Sequence, residues 1–136
     1  MFAFLDASAL IYLVEGAEPF AARTRRALSD LAQREPPAAV ALSRLTWLEC
    51  RVRPLREGES QVLEAFDAFF RRSDVLWVEL SAQVVELATE IRARTGLKTP
   101  DALQAACCLQ LGADHLFVTG DITFRKVPGL KVRVLK

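Results

Sequence analysis

Hydrophobic positions along the chain follow two rhythms. Short, mainly apolar runs occur at Phe2–Leu5, Ala39–Leu42, Val75–Leu80, His115–Thr119 and Lys131–Leu135. Such runs read as buried strands. Between them apolar residues recur at helical spacing. Helices are predicted over Ala7–Val14, over Pro19–Gln33, and over Trp47–Leu55 with an interruption at Pro54. Ser60 is assigned as the cap of a helix carrying Val62, Phe66, Phe69 and Phe70. Ser81 caps another, with Val84, Leu87, Ala88 and Ile91 on one face and Gly96 at its end. Thr99-Pro100 opens the last helix, with proline at the first helical position, and Gly112 ends it. Strands separated by helices predict an α/β fold with a central, mostly parallel sheet covered on both faces.

That topology has a chemical consequence. Asp6 ends the first strand and Asp121 follows the fourth, so both lie at the carboxyl edge of the sheet. Glu49 is assigned to the first turn of the helix after strand two, which starts at the same edge. Asp101 lies in the first turn of the helix leading into strand four, which runs antiparallel to that strand and also begins there. If strands one and four are neighbours where strand order reverses, the four acids converge, and such switch points are where ligands bind.

Each acid also has an ordinary reading. Asp6 suits a helix N-cap. Thr46 with Glu49 fits a capping box. Asp101 suits the positive end of a helix, and Asp121 after Gly120 suits a turn. Energetics favour the joint reading. Two carboxylates about 5 Å apart repel by roughly 3 kcal/mol at an effective dielectric of about 20, and four need a compensating charge. A hard divalent cation, Mg²⁺ or alternatively Mn²⁺, suits an all-oxygen set. Hydrolysis of a phosphodiester is the natural chemistry of such a centre.

Composition narrows the field. The chain has 136 residues, 51% hydrophobic and 26% charged, which predicts one globular domain, residues 1–136, and argues against disorder. No apolar run reaches the roughly 18 residues that span a bilayer. The stretch Met1–Leu13 carries Asp6 and lacks a basic leader, so it is not read as a signal peptide, and a cytoplasmic protein is expected. Cys50, Cys107 and Cys108 are an odd set without zinc spacing and read as small buried hydrophobes. The single His115 opens a buried strand and is not assigned to catalysis.

The net charge of +1 does not suggest a generic nucleic-acid binder. Setting aside the four acids leaves 13 acidic against 18 basic residues, or +5 over the rest of the chain. An acidic, metal-filled pocket in a mildly basic surface suits a phosphodiester substrate. Arg51, Arg53, Arg56, Lys98 and Arg125 are candidates to hold its phosphates.

Four segments carry a family resemblance: Leu5-Asp6-Ala7-Ser8, Ser43 to Cys50, Lys98 to Ala106, and Gly112 to Asp121. Together they resemble PIN-domain nucleases, and the size and layout are most similar to the VapC-type toxins of prokaryotic toxin–antitoxin pairs. The resemblance implies a three-layer α/β/α sandwich and Mg²⁺- or Mn²⁺-dependent endoribonuclease activity. It implies that Asp6, Glu49, Asp101 and Asp121 form the acidic quartet, flanked by the small hydroxyls of Ser8 and Thr119. It also implies a homodimer and a small antitoxin partner. One departure is visible: some members carry a further acid shortly after the fourth, whereas here the stretch reads Ile122-Thr123-Phe124.

The competing reading is a non-catalytic RNA- or protein-binding module that retains the acidic rim. A phosphoacceptor receiver domain would need a phosphorylatable Asp after strand three, where this chain has Glu79-Leu80-Ser81. The aromatic residues Phe66, Phe69, Phe70 and the Trp47 region are candidates for a dimer interface.

Overall fold

The computed structural model describes residues 1–136. Five strands, β1 (Phe2–Leu5), β2 (Ala39–Ser43), β3 (Leu76–Val78), β4 (His115–Thr119) and β5 (Val132–Val134), form one sheet in the order β3-β2-β1-β4-β5. Every pairing is parallel. The chain moves outward from β1 through β2 to β3, then returns to build β4 and β5 on the other side. The strand order therefore reverses between β1 and β4, which pair from Phe2 opposite His115 to Leu5 opposite Val118.

Six helices cover the sheet: α1 (Ala7–Glu15), α2 (Phe20–Ala32), α3 (Arg44–Glu57), α4 (Ser60–Phe70), α5 (Ala82–Thr95) and α6 (Thr99–Leu109). None is long and apolar enough to cross a membrane. Alternate strand residues serve the two faces. Phe4, Ala41 and Phe117 join the core packed beneath α5 and α6, with Val84, Ile91, Ala105 and Phe124. Ala3, Leu5, Leu42 and Val118 join the core on the opposite face, with Leu10, Leu31, Phe66 and Phe70. Phe4 and Phe117 stack with centroids 5.4 Å apart. Each fully buried Phe contributes roughly 2–3 kcal/mol from lost water contact. This is a three-layer α/β/α sandwich, as the spacing of apolar runs predicts.

Several boundaries differ from the sequence reading. The helix after β2 begins at Arg44, with Ser43 as its N-cap accepting from Leu45 N at 3.0 Å. Thr46 is thus a buried residue inside α3, and Glu49 sits in the second turn, not the first. The proposed Thr46–Glu49 capping box does not form. Pro54 does not interrupt α3. Its ring is buried, its missing N–H removes only one bond, and the helix continues to Gly58, whose φ of 68° ends it. Ser60 is the first residue of α4 rather than its cap, because Glu59 occupies that position. Thr99 is the first residue of α6, so Pro100 takes the second position, and the helix stops at Leu109.

The aromatic residues considered for an interface are largely in the core. Phe66 and Phe70 are buried. Trp47 stacks on Phe70 at 5.1 Å and meets Trp77 edge-on at 6.0 Å. The large apolar side chains left exposed on α3 are instead Leu48, Val52 and Leu55.

Candidate active site

The carboxyl edge at the β1–β4 junction gathers the predicted acids. Asp6 leaves β1 and caps α1, and it is 5% exposed. Its Oδ1 accepts from Ser8 Oγ at 2.7 Å and from Ala9 N at 3.0 Å. Its Oδ2 accepts from Thr119 Oγ1 at 2.6 Å, across the strand junction. Ser8 Oγ in turn accepts from Gly120 N at 3.1 Å, and Thr119 Oγ1 accepts from Asp121 N at 3.0 Å. Two small hydroxyls thus tie Asp6 to the turn that carries Asp121. That turn must pass close to α1: a Cβ on Gly120 would lie 2.6 Å from Tyr12 Oη and 2.8 Å from Tyr12 Cε2. The Tyr12 ring stacks on Phe20 at 4.7 Å, so any side chain at position 120 would have to displace that ring.

Glu49 reaches the same edge from α3 and is half-buried. Its Oε1 accepts from Gln104 Nε2 at 2.8 Å. The same nitrogen donates to Thr46 Oγ1 at 2.9 Å. Gln104 is 2% exposed, and it fixes Glu49 relative to α6. Asp101 lies one turn earlier on α6, in its first turn. Asp121 accepts from both the backbone N (2.9 Å) and Oγ1 (2.8 Å) of Thr123, which closes a short 3-10 turn over Ile122–Lys126.

The four charges act on one another. Burial pushes the Asp6 carboxyl above its ordinary range; three hydrogen bonds oppose the rise and the charge of Asp101 adds to it. Burial likewise raises Glu49, opposed by the Gln104 amide and reinforced by Asp101 and Asp6. Burial raises Asp101, with Asp121 adding and Lys98 opposing. Repulsion and desolvation both disfavour the ionised edge as it stands.

The distribution of ion pairs sets this edge apart. Of the 17 acidic side chains, nine pair with cations: Glu15, Glu18, Asp30, Glu57, Glu59, Asp67, Asp74, Glu79 and Asp114. Glu35, Glu64, Glu86 and Glu90 are unpaired and exposed. Asp6, Glu49, Asp101 and Asp121 are the only buried or half-buried carboxylates with no cation within ion-pair distance. The arrangement is open: no three His, Cys, Asp or Glu side chains close on one point tightly enough to enclose an ion by themselves. The donor set is all hard oxygen. A cation that keeps several waters and takes one or two carboxylates directly suits such a rim better than one needing a full protein cage.

Other candidates fall away. Arg51 pairs with Asp67 at 2.8 Å, Arg53 with Glu15 and Glu59, and Arg56 with Glu57 at 3.6 Å. Those arginines are committed to α1 and α4 or to their own helix. His115 is buried and structural: its Nδ1 meets Gly112 O at 2.6 Å and its Nε2 accepts from Lys131 N at 3.1 Å. Cys50, Cys107 and Cys108 are buried, and burial pushes all three thiols up, away from reactivity. Two residues at the site were not assigned from the sequence: Gln104 and Lys126. Gln104 did carry a signal, as a lone amide in the apolar run Ala102–Leu109, one turn beyond Asp101.

A parallel sandwich with a quartet of acids at its switch point defines a class, and the PIN-domain family model matches residues 3–130. The chain belongs to the PIN-domain family. Among solved structures it is similar to VapBC2 from Rickettsia felis bound to a DNA fragment from its promoter (19% identity, all of both chains, TM-score 0.80). It is also similar to a toxin–antitoxin complex from Klebsiella pneumoniae (24% identity, 98% of each chain, TM-score 0.71). VapC20 of Mycobacterium tuberculosis, a Sarcin-Ricin loop cleaving toxin, matches at 18% identity over 95% of this chain and 98% of its own (TM-score 0.71). No curated protein matches the chain by sequence.

Proposed function

We propose that this chain is a metal-dependent endoribonuclease, the VapC-type toxin of a toxin–antitoxin pair, acting as one domain in the cytoplasm. The observation that carries the reading is the edge lined by four buried or half-buried carboxylates, none of them in an ion pair. Asp6 and Asp101 would be the main ligands of Mg²⁺, or of Mn²⁺. Glu49 would bind directly or through water, and Asp121 would complete the site through water. When bound, the metal supplies a lowered water pKa and charge stabilisation at the phosphoryl and leaving oxygens.

The chain's own residues set up the rest. Ser8, Ala9 and Thr119 hold both Asp6 oxygens in place, so the carboxylate loses little freedom on binding. Gln104 holds one Glu49 oxygen, leaving the other to orient the attacking water. In hydrolysis that water loses a proton and forms the new P–O bond, while the ribose oxygen leaves and takes a proton. Association is supported by Leu48, Val52 and Leu55, spaced along one side of α3 and exposed. The VapBC complexes among the structural relatives support a small antitoxin partner. A homodimer is proposed as well; light scattering over a range of concentrations tests it.

The decisive experiment is cleavage of single-stranded RNA with Mg²⁺, with EDTA, and by Asp6→Asn. Loss of a supporting residue around a metal costs about 10–100-fold, so loss of a direct ligand should cost at least about 100-fold. The variant should keep its circular dichroism spectrum, because an asparagine can accept from the same Ser8 and Ala9 donors. Undiminished cleavage in EDTA, or by a folded Asp6→Asn, sinks the assignment. RNA binding with no cleavage under any metal would favour the non-catalytic module.

A further inference from the structure

The ribonuclease reading leaves open how the polymer is gripped beside the acids. A cleft of about 310 Å³ runs between the α5–α6 junction and the 3-10 turn, lined by Thr95, Lys98, Asp101, Asp121, Thr123 and Lys126. Leu97 is its only apolar neighbour. Lys98 and Lys126 have no acidic partner within ion-pair distance, although Asp101 and Asp121 line the same cleft. The arginines of α3 that follow Glu49 are all held in ion pairs, so they offer no comparable free charge. The start of α6 also faces this cleft, and its N-cap, Lys98, provides no side-chain cap.

We propose that this cleft is a phosphate subsite, in which Lys98 and Lys126 grip a backbone phosphate of the RNA next to the one that is cut. The proposal rests on the ribonuclease reading and adds the direction in which the strand leaves the acids: over the 3-10 turn, not along α3. Two acids and two lysines give the cleft no net charge. A phosphate is therefore admitted only when a divalent cation sits on the carboxylates, which couples strand binding here to metal binding. Lysines act as point charges on a phosphate and carry no sequence preference.

The test measures affinity for a short single-stranded RNA by fluorescence anisotropy across a salt series, with Ca²⁺ as the divalent ion, for the wild-type chain, Lys98→Ala, Lys126→Ala, the double variant and Lys126→Arg. Arg71→Ala, an exposed and unpaired arginine at the end of α4, is the control. Each lysine removed should flatten the plot of log affinity against log salt by about 0.7, the increment for one phosphate contact on a single strand. Affinity should fall several-fold in the double variant, only when Ca²⁺ is present. Lys126→Arg and Arg71→Ala should match wild type. A wild-type chain that binds and cleaves RNA, with a double variant of unchanged slope and affinity, overturns the subsite and leaves the ribonuclease standing. A wild-type chain that neither binds nor cleaves overturns both.

Discussion

The two edges of the one sheet use polar residues in opposite ways. At the amino edge the buried His115 and the backbone around it are answered within the protein. His115 ties Gly112 O to Lys131 N, Lys131 Nζ donates to Ala113 O at 2.8 Å, and Phe2 N donates to Asp114 O at 2.9 Å. At the carboxyl edge the neutral donors are also placed with care, but they converge on carboxylates that no cation pairs directly: Lys98 offsets Asp101 only from beyond ion-pair distance. Gln104 Oε1 is buried there without a partner. The difference teaches where this fold is closed and where it is left for a ligand: stability is served at one rim, and unspent electrostatic free energy is kept at the other.

The sharpest way to break this comparison is to exchange the consequences. His115→Ala should destabilise the fold by about 3 kcal/mol, from the lost ring volume and the two orphaned backbone groups. Urea unfolding measures it. Cleavage per folded molecule should stay at the wild-type value. A stable His115→Ala chain with impaired cleavage would show that the amino edge is not merely structural. Asp6→Asn should do the reverse. It removes a buried charge, so the variant should be at least as stable as the parent at neutral pH while losing cleavage.

A smaller effect sharpens the comparison within the carboxyl edge. Gln104 touches Glu49 but lies beneath the open rim. Gln104→Leu keeps the volume and frees the Glu49 carboxylate. Cleavage should drop about tenfold, the lower range for residues that support a ligand. The loss should be recovered in part by raising Mg²⁺, because orientation and not the ligand itself has been removed. A loss that no concentration of Mg²⁺ alters would argue that Gln104 serves only packing.

Much of this was legible in the chain because topology does the gathering. Parallel strands joined by helical crossovers send the end of β1, the start of α3, the start of α6 and the end of β4 to one edge. The acids at those points needed no long-range information beyond the β1–β4 pairing. Local capping was less legible. Ser43 and Thr46 are both plausible caps three residues apart, and only the packing of α3 on α6, where Thr46 meets Gln104, decides between them. The free or committed state of each cation was not legible at all. Arg51 and Asp67 lie on different helices, and nothing in their sequence context announces that they pair. The fate of Phe66 and Phe70 depends likewise on α4 docking against the sheet face that carries Leu5 and Leu42.

The mildest perturbation is of pH and metal together, and it reads the carboxyl edge alone. Asp6, Glu49 and Asp101 all hold protons more tightly in the fold than in the unfolded chain. A raised carboxyl pKa means the native state binds more protons, so in EDTA stability should increase as pH falls from neutral through the raised values toward the ordinary ones near 4. A divalent cation relieves the same repulsion without protons. At ten times its dissociation constant Mg²⁺ adds about 1.4 kcal/mol, or roughly 5 °C in melting temperature for a chain of this size. That increment should be full at pH 7.5 and should shrink as protons take the carboxylates, because the two cations compete for one rim. Differential scanning fluorimetry at several pH values, with Mg²⁺ and with EDTA, measures it. Asp6→Asn should flatten the Mg²⁺ response, whereas His115→Ala should lower every melting temperature and leave the response intact. An Mg²⁺ increment that is the same at pH 4.5 as at 7.5, or that survives in Asp6→Asn, would mean the ion binds elsewhere and the contrast between the edges is not electrostatic.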